Sequence, residues 1–394
     1  MIISDDQCWN DFGFMGHTAV ETPHLDRLAA QGAVFRRGYV PSSLCRPSLA
    51  SMVTGLYPHE HLITGNDPPK ELDRNVMLKH IRAAPSLPRL LGAHGYRSFQ
   101  SGKWWEGNYR EGGFSDGMTH GDTSRGGRHG DEGLTIGREG MKPVVDFLDE
   151  VGERPFLLWY APFLPHQPHN PPARLAEKYA SKTDSPHVAR YWAMCEWFDE
   201  TCGELLDQLD VRGLSENTIV VFVVDNGWIQ QPDHAGYAPR SKRSPYDGGL
   251  RTPILVRWPG VVEPVVSDTP VSSIDLAPTI LKACRVEVPP AMTGIDLVAL
   301  ANAEAHGEPV VAPPVFGSTL AHDIVDIDRP AASVEYRYTV DGPWKLIVPA
   351  RGDESPELYN VVNDPWEQHN LAAEEPERVD QLRALIDAWW TPAK

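Results

Sequence analysis

Residues 218–227 read TIVVFVVDNG, an unbroken apolar run from Ile219 to Val224 that stops at Asp225, Asn226 and Gly227. A run this short, rich in β-branched residues and lacking polar alternation, predicts a strand buried on both faces, as in a parallel sheet covered by helices. PFLLWYAPF at 155–163 has the same character and runs into the loop LPHQPHNPP, while TPILVRWPG at 252–260 and RSFQSGK at 97–103 read as further strands. Helical patterns lie between them. In TPHLDRLAAQG (22–32), Thr22 is placed to cap, Pro23 to take the first position and Gly32 to stop the helix. SLPRLLGAHGY (86–96), a long amphipathic segment over about 186–209 and SIDLAPTILKAC (273–284) also read as helices. Strands alternating with helices predict an α/β fold with a large mixed, mostly parallel sheet flanked by helices. After about residue 310 the texture changes. SVEYRYTVDGPWKLIVP predicts a hairpin turning at Asp341-Gly342, and PERVDQLRALIDAWW a terminal helix. The expected organisation is a large α/β domain over 1–310. A smaller α+β subdomain with a small antiparallel sheet and the terminal helix is expected over 311–394.

Composition narrows the function. The 394 residues are 41% hydrophobic and 23% charged, an ordinary globular balance, and no apolar run is long enough to span a bilayer. A formal net charge of −18 argues against nucleic-acid binding and requires any anion site to be a locally basic pocket. The five cysteines include no C-x-x-C pair, which argues against a disulfide framework or a thiolate zinc site. No secretory leader is evident before Asp5, which leaves the compartment open.

In α/β sheets, ligands gather beyond the carboxyl ends of the strands. IISDDQ places Asp5 and Asp6 after an apolar run, and VVDNG places Asp225 and Asn226 after another. Singly, such residues usually make turns. Together they offer a set of hard oxygen donors suited to Ca²⁺, or Mg²⁺, rather than zinc. SSLCRPSLASMVTG (42–55) puts Cys45 at the mouth of a helix that Pro47 is placed to begin and Gly55 to end. Lys103, His166 and Lys242 lie in loops after strands or near glycine-rich turns, and two ammoniums with an imidazole suit a tetrahedral oxyanion. Trp104, Trp105 and Trp228 flank these residues, either as core or as a stacking wall for a substrate ring. The Gly/Asp/His/Arg-rich stretch 107–137 and the segment 59–72 read as loops that shape access.

SDDQ, TPHLDRLAAQGAVF, CRPSLASMVTGLYPHEH, SGKWWEG, PHQPH, VVDNG, YDGGLRTPILVRWPG, DLAPTIL and ELYNVVNDPWEQHNLA together resemble the sulfatase family of the alkaline-phosphatase-like superfamily, in order and approximate spacing. The resemblance implies a sulfuric ester hydrolase acting on a sulfated carbohydrate or similar organic sulfate, often in a periplasmic or secreted setting. It implies a formylglycine made from Cys45 by a formylglycine-generating enzyme. One hydroxyl of the hydrated aldehyde attacks sulfur, and deprotonation of the other lets sulfate leave. By the same resemblance Asp5, Asp6, Asp225 and Asn226 hold Ca²⁺, and Lys103, His166 and Lys242 bind the sulfate oxygens, with Trp105 beside the substrate.

Two positions depart from the family pattern. Leu49 stands where C-x-P-S is followed by arginine, and a leucine replaces neither its charge nor its fork of donors. Trp105 stands where histidine commonly follows G-K-W, leaving His59, His61 or His129 to supply an imidazole. Two alternatives stay in view, the first because the oxyanion pocket could accept phosphorus and the second because of these departures. One is a phosphate or phosphonate ester hydrolase of the same superfamily, and the other is a silent binder of sulfated glycans whose Cys45 stays unmodified.

Overall fold

The computed structural model describes residues 1–351 and 354–392, which build two sheets. The large sheet comprises β1 (Ile2–Ser4), β2 (Ala33–Tyr39), β3 (Arg97–Gly102), β4 (Asp116–Gly117), β5 (Phe156–Ala161), β6 (Val220–Val224), β7 (Arg251–Arg257), β8 (Val265–Ser267) and β9 (Val271–Ser272). Their order is β4-β3-β5-β1-β6-β7-β2-β8, with β9 also paired to β2. Every pairing is parallel except those of β7 with β6 and β2. The expected mixed, mostly parallel α/β sheet is therefore present. β1, β3, β5 and β6 consequently end at one edge, and the antiparallel β7 begins there. Residues that follow the first four and residues that precede the last can meet.

The central strands are buried on both faces, and the two-residue period sorts their side chains. Ile3, Trp159, Val221 and Val223 face one core with α2 (Cys45–Thr54) and α5 (Leu276–Ala283). Ile2, Leu158, Tyr160, Val220, Phe222 and Val224 face the other with α1 (Pro23–Ala30), α3 (Lys142–Val151) and α4 (Pro186–Val211). The register Ile2↔Phe222, Ile3↔Val223 and Ser4↔Val224 brings the ends of β1 and β6 level.

Local details differ from the sequence expectation at three places. α1 is not capped by Thr22, whose hydroxyl accepts from Gly13 N and donates to Asp26 Oδ1. Its free N–H groups donate instead to Asp199 of α4, from His24 N at 3.1 Å and Leu25 N at 2.8 Å. Gly32 does not close the helix: α1 stops at Ala30 with Gln31 as its cap, and Gly32 leads into β2 where an added Cβ would collide with the backbone of Val256. α2 starts at Cys45, two residues before Pro47, which still lies in the first turn where no N–H is required. Gly55 closes that helix at φ 64°, its N–H donating to Ser51 O at 2.8 Å.

The second sheet is antiparallel, β10 (Val315–Leu320), β11 (Val334–Asp341), β12 (Trp344–Pro349) and β13 (Glu357–Asn360), with the hairpin turning at Gly342. One face packs on α6 (Pro376–Trp389) through Leu346, Val348, Leu358, Val379, Leu382 and Ile386. The other contributes Tyr338, Val340, Ile347 and Tyr359 to the large core. All five cysteines are unpaired thiols. Among the described residues no helix is long and apolar enough to cross a membrane.

Candidate active site

The carboxyl edge of the large sheet assembles residues from five loops and the first turn of one helix. β1 delivers Asp5 and Asp6, β3 delivers Lys103, the loop after β5 delivers His166, β6 delivers Asp225 and Asn226, and α2 presents Cys45. Lys242 arrives from the loop before β7. One ligand atom each of Asp5, Asp6, Cys45 and Asp225 lies within 4.8 Å of the others, and all four residues are buried. Asp6 adopts φ 62°, the left-handed region, at a cost on the order of 1 kcal/mol for a non-glycine residue. That geometry is held by Asp6 N donating to Asp225 Oδ1 at 3.0 Å and Asn226 Nδ2 donating to Asp6 Oδ1 at 2.7 Å.

The cations interleave with these acids. Lys242 Nζ lies 2.6 and 2.7 Å from the two Asp6 oxygens and 3.1 Å from Cys45 Sγ. Lys103 Nζ bonds Asp5 Oδ1 and lies 3.3 Å from Asp225 Oδ2. His166 Nε2 is 3.3 Å from Asp6 Oδ2, while Nδ1 donates to Gln167 O at 2.6 Å. Burial pushes the Asp225 carboxyl up to about 7 against the pull of Lys103. Burial likewise raises Asp6, but Lys242, His166 and Lys103 outweigh it and hold that carboxyl low. Burial drives the Cys45 thiol up to about 12 despite the two lysines, so an unmodified Cys45 is a neutral thiol rather than a thiolate.

The donor set fits a hard cation. Asp5 Oδ2 and Asn226 Oδ1 are buried with no hydrogen-bond donor, an expensive state for polar oxygens. Three carboxylates face only two ammoniums, so positive charge is wanted where those oxygens point. Carboxylate and amide oxygens suit Ca²⁺ or Mg²⁺.

The Sulfatase family model matches residues 1–286. The chain belongs to the sulfatase family. A second model, described as N-sulphoglucosamine sulphohydrolase, C-terminal, matches residues 236–387. Arylsulfatase A of Homo sapiens is 26% identical over an alignment covering 98% of this chain and 86% of its own. The N-acetylgalactosamine-6-O-sulfatase of Bacteroides thetaiotaomicron is 24% identical, covering 98% and 92%. The solved structure of Ps i-CgsB in complex with k-i-k-neocarrahexaose superposes with a TM-score of 0.79 at 22% identity, over 100% of this chain and 92% of that one. This protein is thus a sulfatase, an enzyme of a family that generally uses a metal ion and formylglycine.

For a sulfatase, its surroundings at the two departing positions are specific. Leu49 is buried in the apolar core. Arg46 does not take over at the metal site, because its guanidinium forms a buried bidentate pair with Glu106 at 2.6 and 2.8 Å. Trp105 is 4% exposed, and Arg74, Arg128 and His129 crowd its ring, so it offers no open stacking wall. Trp104 and Trp228 are buried as well.

Of the three candidate histidines, His59 stacks on Trp390 and His61 bonds Ser51 Oγ and Ile63 N. His129 alone stands at the site, its ring 5.2 Å from Trp105 and 5.4 Å from Phe163, which stacks on His166. Its Nδ1 is buried without a partner, and burial, with Lys103 and His166 nearby, lowers the imidazole to about 3 and keeps it neutral. The loop carrying it is organised by Asp131, whose carboxylate accepts from the backbone N–H groups of His120, Gly121, Asp122 and Glu132 at 2.7–3.1 Å. Asp131 was not legible as a site-shaping residue. One acid among many in a Gly/Asp-rich loop carries no spacing signal.

Proposed function

We propose that this sulfatase removes sulfate from a sulfated carbohydrate, with Cys45 as the precursor of a formylglycine nucleophile. The observation that carries the reading is the convergence of Asp5, Asp6, Asp225 and Asn226 on Cys45, two of their oxygens unpartnered, with Lys242 3.1 Å from Sγ. The carbohydrate is supported by relatives named for sulfated sugars, among them the N-acetylgalactosamine-6-O-sulfatase.

Asp5, Asp6, Asp225 and Asn226 would hold the cation, Ca²⁺ by preference for an all-oxygen set. When bound, it supplies Lewis-acid charge beside the nucleophile and the sulfate. Lys103 and Lys242 provide ammonium donors for two sulfate oxygens, and His166 borders the same space. These groups neutralise charge that accumulates on the oxygens as the ester bond breaks. His129, neutral and with Nδ1 free, is an imidazole available to accept at Nδ1 the proton whose removal lets sulfate leave.

The test is parallel release of sulfate and of phosphate from matched sugar and aryl monoesters and diesters, by protein produced with a formylglycine-generating enzyme. The expected result is sulfate release that a chelator abolishes and Ca²⁺ restores. Faster phosphate or phosphonate release would replace this reading with the other superfamily activity. Glycan binding without any turnover would make the protein a silent binder.

A further inference from the structure

Beside Trp105, two loops that are distant in sequence meet over one carboxylate. Asp67 Oδ1 accepts from Arg74 Nη1 and from Arg128 Nε, each at 2.8 Å, and Asp67 Oδ2 accepts from Arg128 Nη2. Both guanidiniums lie over the Trp105 ring, with Arg74 Cζ 5.3 Å and Arg128 Cζ 5.0 Å from its centroid. Lys103 Nζ stands 5.9 Å from that same centroid. The Arg128 guanidinium and the Lys103 ammonium are therefore separated by at most the sum of their two ring distances, about 11 Å. One sugar ring and its substituents bridge such a span.

The arrangement is under-bonded. Two guanidiniums share one carboxylate, and the nearby Asp323 is bonded to His322 Nδ1 at 2.6 Å. Arg74 Nη2 is buried with no hydrogen-bond partner, and an unpaired donor on a buried charge is costly. Arg128 is 44% exposed, and its Nη1 makes no hydrogen bond among the described residues. In a molecule of net charge −18, a pair of arginines stacked at the lip of an oxyanion pocket is a local exception. Guanidinium forks match planar carboxylates and sulfates with two parallel bonds.

We infer that Arg128 and Arg74, held by Asp67 and the face of Trp105, form a binding site for a second oxyanion, carboxylate or sulfate, on the sugar whose sulfate ester occupies the Lys103–Lys242 pocket. The inference rests on the reading of that pocket as a sulfate-ester site. It gives Trp105 a role: an indole in place of the family's histidine supplies the platform on which both guanidiniums lie.

The test separates binding from turnover. The full chain carrying Cys45→Ala and loaded with Ca²⁺ is titrated calorimetrically with three monosaccharides: a neutral hexose monosulfate, the matching disulfate and a uronic acid monosulfate. The disulfate, the uronate or both bind about tenfold or more tighter than the neutral monosulfate, and the advantage shrinks at high salt. Whichever shows the gain identifies sulfate or carboxylate as the second anion. Adding Arg128→Gln reduces the advantage to about twofold or less, and Arg128→Lys, which keeps charge but not the fork, leaves an intermediate value. Equal affinity for the three sugars, absence of binding by all of them, or a preference that survives Arg128→Gln overturns the inference. If the matured wild-type protein releases no sulfate while Cys45→Ala retains the preference, the hydrolase reading fails and the second-anion site stands.

Discussion

Asp5 Oδ2 and Asn226 Oδ1 are buried oxygens without hydrogen-bond donors among three carboxylates and two ammoniums, and this fixes the kind of ion the site would hold. Every other contact there either shapes the cation site, as Asn226 Nδ2 does through Asp6, or sets ammoniums among its acids. Asn226→Leu keeps the branched shape but deletes the amide oxygen and the Nδ2 donor to Asp6, and calorimetry of the metal-stripped protein is expected to show Ca²⁺ affinity lower by about tenfold or more. Lys242→Met removes an ammonium that reaches Asp6 and Cys45 together. Steady-state sulfate release is expected to fall by about 10²- to 10³-fold in kcat, the loss seen when one donor to a developing oxyanion is deleted. Asp5, Asp6, Cys45, Asp225 and Asn226 were legible because each follows a strand or opens a helix with a recognisable neighbour. Arg74, Arg128 and Asp67 were not, since surface-type residues in loops reveal their meeting only in three dimensions.

Helix α1 illustrates how a neighbouring element completes what local sequence leaves open. Thr22 is spent on Gly13 and Asp26, and Asp199 of α4 supplies the cap from 174–175 residues away. Asp199→Ala is expected to cost about 1–2 kcal/mol in chemical denaturation, the range for a lost cap. The same residue gives a pH signature. Burial raises its carboxyl to about 7, above the unfolded value of about 3.9. A carboxyl raised on folding binds more protons in the native state than in the unfolded one. Its contribution is therefore fully present below about pH 4 and is lost as pH rises toward 7. Thermal melts of Asp199→Asn should fall less steeply than wild type between pH 5 and 7, and an identical slope would remove Asp199 as the cause. Strands β5, β6 and β7 were plain in the sequence as apolar runs. β2 was hidden because Arg36 and Arg37 interrupt AVFRRGY, yet Arg37 is buried, donating to Asp268 O and to Gly342 O. The start of α2 at Cys45 was displaced by weighting Pro47, which the first turn tolerates at more than one position.

The two sheets act as one body at the catalytic edge. Tyr338 of β11 donates to Val40 O at 2.7 Å, just before the Cys45 segment. Lys345 of β12 is fully buried, 2.7 Å from Asp247 Oδ1 and 2.8 Å from Glu367 Oε1, and Asp247 N donates to Glu367 Oε2 at 2.6 Å. This triad pins the turn that leads from Lys242 into β7. Lys345→Met strands two buried carboxylates and is expected to destabilise the protein by about 3–5 kcal/mol in urea unfolding. The triple variant Lys345→Met/Asp247→Asn/Glu367→Gln, which removes the charges together, should recover most of that loss. The change of texture near residue 310 was readable from composition. The burial of Tyr338, Val340, Ile347 and Tyr359 in the large core was not, because alternation along a strand does not say which partner covers each face.

All of these elements converge on Cys45, and its chemical state is the point to measure. Mass spectrometry of the peptide spanning residues 38–55, from protein coproduced with a formylglycine-generating enzyme, should give the mass of the aldehyde or its hydrate despite Leu49. An unmodified cysteine in that material would contradict the formylglycine mechanism for this chain.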